Sequence, residues 1–181
     1  MVTSFFSELE LNDLGLKSFG KNVQISRFAR IYNAHEIEIG NNVRIDDFCI
    51  LSGNIKLHNY IHISAHTILY GKFGIEMEDY SGLSPRCTVF SATDDFSGDF
   101  LIGPMVKKEF TNVVGGKVIF QKYSQLGANC VVLPNSMLEE GAITGAMSLV
   151  KGILKSWTVN SGIPAKYQKD RSRNLLKYTV S

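Results

Sequence analysis

Between Ile37 and Val89 an aliphatic residue returns at every sixth position, first as Ile39, Ile45 and Leu51, next as Leu57, Ile63 and Leu69, then as Met77, Leu83 and Val89. Neither a 3.6-residue helix nor a two-residue strand alternation produces that spacing, whereas short strands joined by turns do. Three sixes make a unit of eighteen, and Leu57 lies eighteen residues after Ile39, so each unit reads as one triangular coil of a β-solenoid. Between Leu69 and Met77 the insertion Gly71-Lys72-Phe73-Gly74 lengthens one corner by two residues. After a break the rhythm resumes at Phe120, Leu126, Val132, Leu138, Thr144 and Val150, where only Thr144 is not a large apolar side chain. The chain is therefore expected to be one prism of stacked coils, interrupted by a loop.

Four residues after each large position on one face come Ala29, Cys49, Thr67, Cys87, Cys130 and Ser148. All are small, as close packing requires where a narrow interior cannot take two bulky residues per face. This register puts the three cysteines in one internal stack. Buried thiols act as small apolar filler, and no CxxC spacing points to metal or redox chemistry, so no metal is expected.

The 181 residues suffice for one core, and a solenoid needs no second unit because each coil buries its interior on its neighbours. We expect a single domain divided into an N-terminal cap (1–18), the first coils (19–93), an inserted loop (94–117), the last coils (118–156) and a tail (157–181). Ser7 and Glu10 form a capping-box pattern, so Ser7 to Asn12 is read as a short helix lidding the open end of the prism. The loop mixes aspartates, aromatics and glycines, a composition unlike disorder, and long loops in compact domains usually carry function. Past Pro164, the segment from Ala165 to Tyr178 is read as a helical tail. A net charge of +2 is too mild for a nucleic-acid footprint. The first residues lack a basic n-region with a continuous apolar core, and no apolar run approaches a membrane span, so a cytoplasmic protein is expected. Between Lys117 and Arg173 basic residues outnumber acidic ones, an imbalance suited to a polyphosphate ligand.

The repeats, with IGNNVRIDDFCILSG, the loop opening SATDDFSG and the closing LGANCVVLPNSMLEEGAITGAMSLVK with its GIPAK tail, resemble the hexapeptide-repeat acyltransferases. The resemblance is to the galactoside and maltose O-acetyltransferases, above all to the O-acetyltransferases of bacterial surface polysaccharides, and covers about Phe19 to Arg173. It implies a left-handed parallel β-helix and a homotrimer with active sites in the clefts between subunits. It also implies acetyl-CoA as co-substrate along the C-terminal coils. By the same similarity the pantetheine arm would meet Gly127, Ala128, Gly145 and Ala146, and the adenine and phosphates would meet Pro164, Ala165, Lys166 and Arg171. Tyr123 and Gln125 stand where relatives often carry a histidine and a tryptophan.

Transfer of an acetyl group from a thioester to a hydroxyl needs a proton acceptor and donors for the tetrahedral oxyanion. The histidine used by the galactoside and maltose enzymes is replaced here by Asp94, aligned through Ser84-Pro85-Arg86-Cys87. A carboxylate alone is a poor base for an alcohol. His62, one coil away in this register, is the expected partner, its imidazole oriented by Asp94; His66 is a second candidate. The leading expectation is thus sugar O-acetylation by direct attack in a ternary complex, with His62 and Asp94 as the catalytic pair. An amino sugar linked to a nucleotide is the alternative acceptor, since a deprotonated amine attacks unaided and needs only a sink for its proton. Two other uses of the fold fit less well. A carbonic anhydrase needs three zinc-binding histidines, and no histidine follows position 66; a non-catalytic assembly has little use for the long loop and basic tail.

Overall fold

The computed structural model describes residues 4–178. It is a left-handed parallel β-helix of triangular cross-section with a short N-terminal helix. One face stacks Val23–Ile25, Val43–Ile45, Ile61–Ile63, Gly82–Leu83, Gln125–Leu126, Ile143–Thr144 and Thr158–Gly162 in parallel. A second face carries Arg30–Tyr32, Thr88–Phe90, Val131–Val132 and Leu149–Val150, joined by the first halves of the long strands Ile50–Leu57 and Ile68–Met77. The second halves of those two strands lie in the third face with Ile37–Ile39, Val118–Phe120, Met137–Leu138 and Ile153–Leu154.

The eighteen-residue unit is the physical register: Ile39 lies opposite Leu57, Ile45 opposite Ile63 and Leu51 opposite Leu69. The next coil pairs Leu57 with Met77, because the register slips between Gly53 and Ile55 to admit the two-residue insertion at Gly71 to Gly74. The repeated aliphatic residues are buried, as are Cys49, Cys87, Cys130, Thr67 and Ser148 of the small column. Cys49 Sγ lies 3.2 Å from the Ser64 carbonyl, Cys87 Sγ 3.1 Å from that of Gly127 and Cys130 Sγ 3.2 Å from that of Gly145. Each thiol thus hydrogen-bonds to a corner carbonyl. All three cysteines are free, and burial pushes the Cys49 thiol up to about 11.

The predicted N-terminal helix runs Glu8–Asp13, with Ser7 as its N-cap and both bonds of the capping box made through Glu10. Glu10 also forks onto Arg27 at 2.6 and 2.7 Å, tying the helix to the first coil, and Leu11 enters the core. The tail departs from expectation. Ala165–Asp170 is not helical; it is a strand antiparallel to Thr158–Gly162, and only Asn174–Tyr178 forms a 3₁₀-helix. The last coil leaves an open edge of unpaired amides and carbonyls, and the tail satisfies them, a demand that outweighs local helix preference. No described helix is long and apolar enough to cross a membrane.

Ile63 is fully buried between Ile45 and Leu83 in the stack. Ile63→Ala is expected to cost about 2–5 kcal/mol through lost transfer energy and the cavity left behind. The drop in urea midpoint measures it, and a change below about 1 kcal/mol would show that neighbouring coils collapse into the gap.

Candidate active site

Where the first face turns into the second, Ser26, Asp46, Ser64, Ser84, Gly127 and Gly145 stand in one column. Each amide donates to the coil above: Ser26 to Ile45, Asp46 to Ile63, Ser64 to Leu83, Ser84 to Leu126, Gly127 to Thr144 and Gly145 to Asn160, at 2.7–3.1 Å. Two residues further along the chain a second column adopts left-handed φ values of +58° to +62°, at Phe48, His66, Arg86, Asn129 and Met147. In the upper coils the first column is side-chain free. A Cβ at Gly127 would come within 2.6 Å of Ala146 N, so glycine is required there by coil stacking alone. Ala128 and Ala146, next in the chain, are partly buried and exposed respectively.

Asp94 ends the strand Ala92–Asp94, which pairs antiparallel with Val113–Gly115. The inserted loop is therefore a ribbon with an ordered tip. Asp95 accepts from Ser97 N at 2.8 Å and from Asn112 Nδ2 at 2.8 Å, which holds its carboxyl below the usual range and pins the loop's base. Asp94 is different: half-buried, its carboxylate has no hydrogen-bond or ion-pair partner among the described residues. It lines a cavity of about 570 Å³ with Lys72, Lys108, Thr111 and the loop segment around Pro104.

His62 does not join it. Its ring Nε2 lies 2.7 Å from Asp46 Oδ2, and Arg44 Nε is 2.7 Å from the other oxygen of that carboxylate. Although burial raises the Asp46 pKa, the hydrogen bonds from Arg44 and His62 more than offset it and leave the carboxyl below its ordinary value. His62 projects from the middle of the first face, whereas Asp94 lies past the second, so within one chain the expected His62–Asp94 pair is not formed. His66 stacks on Phe48 with centroids 5.0 Å apart, and His58 Nε2 lies 2.9 Å from Glu76 Oε1. No three of His, Cys, Asp and Glu among the described residues converge closely enough to hold a metal ion.

Pro164, Ala165 and Lys166 sit at the hairpin that joins the last coil to the tail strand, where Gly162 faces Ala165. Lys166 is exposed at this turn. Arg171 is partly committed: one terminal nitrogen donates to the carbonyls of Tyr123 at 2.7 Å and Gly141 at 2.9 Å, and burial lowers its pKa. It fastens the tail to the corner ladder of Tyr60, Tyr80, Tyr123 and Trp157. Ser84, which the sequence offers only as an alignment point, stands in the corner column between Ser64 and Gly127.

No family model matches the chain. It is 42% identical over 177 residues to the dTDP-4-amino-4,6-dideoxy-D-glucose acyltransferase of Escherichia coli, covering 96% of this chain and 92% of that protein. It superposes with a TM-score of 0.94 and 46% identity on AntD, an N-acyltransferase from Bacillus cereus crystallised with dTDP-4-amino-4,6-dideoxyglucose and coenzyme A, covering 98% of this chain and 96% of that one. The putative lipopolysaccharide O-acetyltransferase WbbJ of Escherichia coli K12 is 28% identical, covering 91% of this chain and 87% of WbbJ. These relatives overturn the expectation of a surface-polysaccharide O-acetyltransferase. The stronger likeness is to enzymes that acylate an amine, and an amine does not need the histidine that Asp94 replaces.

Asp46 supplies a pH test of the column. Its folded pKa is depressed, so its stabilisation is present above the unfolded value of 3.8 and lost as pH falls through the lower folded value. Asp46→Asn is expected to lower the melting temperature at about pH 7, with the deficit shrinking as pH falls below 3.8 and the wild-type carboxylate takes up its proton. A deficit that does not change with pH would mean that packing, rather than charge, holds this corner.

Proposed function

Because the chain belongs to the hexapeptide-repeat acyltransferases and draws its acyl group from a coenzyme A thioester, we propose that its acceptor is the amine of a nucleotide-linked amino sugar. The observation that carries this reading is identity of 42–46% across nearly the whole chain with proteins named or crystallised for dTDP-4-amino-4,6-dideoxyglucose. AntD has been crystallised as S84A, S84C, S84T, D94A and D94N variants, and this chain carries a serine and an aspartate under the same numbers, Ser84 and Asp94.

In the proposed reaction the neutral amine attacks the thioester carbonyl carbon. A C–N bond forms and a tetrahedral oxyanion develops. The C–S bond then breaks and coenzyme A departs as thiolate, which takes up the proton released by nitrogen. Asp94 is the proposed sink that holds and first accepts this proton, in keeping with an unpartnered, half-buried carboxylate. Ser84 stands in the corner column, away from Asp94 of its own chain, and would offer its hydroxyl to a reacting centre shared between subunits of the proposed homotrimer. The pantetheine arm would follow Gly127, Ala128, Gly145 and Ala146, with the phosphates toward Lys166 and the free edge of Arg171, beside Pro164 and Ala165. His62 is assigned no step within its own chain, since Asp46 engages it.

Acetyl-CoA is the proposed donor, and the reaction is placed in the cytoplasm, in keeping with three reduced cysteines. A homotrimer is part of the proposal. The outward side of the second face carries half-buried Ile50, Ile68, Val131 and Leu149 beside the exposed rings of Phe28 and Phe48, an apolar surface suited to self-association.

The deciding experiment offers matched amino and hydroxyl dTDP-sugars with acetyl-CoA and 3-hydroxybutyryl-CoA. Turnover is expected with the amino sugar alone; turnover of the hydroxyl sugar at a comparable kcat/KM would overturn the reading. Asp94→Asn is expected to lower kcat by about 100-fold or more while leaving coenzyme A affinity unchanged. An unaltered kcat would make Asp94 a solvated loop residue.

A further inference from the structure

The two-residue insertion at Gly71 to Gly74 is part of a larger unit. Phe73 N donates to Ser91 Oγ at 2.9 Å, and a side chain on Gly115, in the returning strand of the loop, would collide with Ser91 O at 2.2 Å and the Phe73 ring at 2.8 Å. The insertion and the loop are therefore packed as one piece, and that piece projects Lys72 into the Asp94 cavity from below while Lys108 enters from the loop. Neither ammonium is ion-paired with a carboxylate among the described residues; Lys72 Nζ lies 5.8 Å from the Phe73 ring centroid. Lys72 also walls a second cavity, of about 410 Å³, with Asn33, Glu36, Ser52 and Tyr70. Both volumes are those of small-molecule sites.

We infer that the two cavities meeting at Lys72 form one acceptor channel that reads a nucleotide-linked amino sugar by its order of charges. The substrate is a zwitterion, with an amine at one end of the pyranose and a diphosphate at the other. Unpaired Asp94 faces the amine, Lys72 and Lys108 hold the diphosphate, and the nucleoside continues toward Tyr70, whose ring stacks on Phe90 at 5.5 Å. A carboxylate and two ammoniums that line one cavity without ion-pair partners among the described residues are complementary in sign to such a ligand. This assignment rests on the proposed amino-sugar acceptor and adds the residues that select its nucleotide half.

Calorimetry on the full-length protein with dTDP and with coenzyme A tests it. Lys72→Met and Lys108→Met are each expected to weaken dTDP about tenfold, and together about 100-fold, the loss of one and two charge-assisted contacts. Tyr70→Ala is expected to weaken dTDP as well. Unchanged coenzyme A affinity certifies that each variant is folded, and Lys56→Met, on the outer side of the third face, is the control that alters neither ligand. If wild type binds dTDP and the double lysine variant binds it within about twofold as well, the channel is overturned while the amino-sugar reading stands. If wild type binds coenzyme A but not dTDP, the dTDP-linked acceptor fails and the channel with it.

Discussion

The backbone hydrogen bonds that run along the prism axis govern the rest of the molecule. An amide that donates to the coil above must lie directly beneath its acceptor, so residues at equivalent corners superpose from one coil to the next. That condition draws Ser26, Asp46, Ser64, Ser84, Gly127 and Gly145 into a single column. Within the column, steric demand decides the occupant, since at Gly127 a methyl group would press into the backbone of the next coil. The bare corner of the upper coils is thus a by-product of close stacking.

Chemistry, by contrast, gathers where the repeat is broken. A regular coil has identical corners and nowhere to converge several polar groups. The insertion at Gly71 to Gly74 and the ribbon from Ala92 to Gly115 are the departures that allow convergence, and they pack on each other through Phe73 and Gly115. Asp94 sits at the junction, at the base of a stem held by Thr93 opposite Val114 and by the Asp95–Asn112 bond. Such a stem is what the proposed role of Asp94 as proton acceptor requires.

The fold was legible because solenoid packing writes itself into sequence at short range: Ile45, Ile63 and Leu83 announce a stack without any long-range information. The capping box at Ser7 and Glu10 was legible for the same reason. The tail strand at Ala165–Asp170 was not, because its partner is the open edge of the last coil and its own residues carry a helical charge pattern. Within one chain His62 and Asp94 are not paired, since neighbouring coils share a column only at the same corner, and these two residues stand on different sides of the triangle. The acceptor was also misjudged in order of preference. Amine and hydroxyl differ by one atom, and the telling sign, an aspartate in place of a histidine, spoke for the amine.

By itself the sequence determined the coil, its eighteen-residue register, the small interior column and the interruption that had to be a loop, because each follows from local periodicity and side-chain volume. Only the tertiary structure decided that Asp46, and not Asp94, engages His62, that Asp94 is left unpartnered in a cavity, and that Lys72 and Lys108 approach it from two segments far apart in the chain. Those relations depend on how a ribbon folds back across a prism corner, and no repeat in the sequence encodes the direction of that turn.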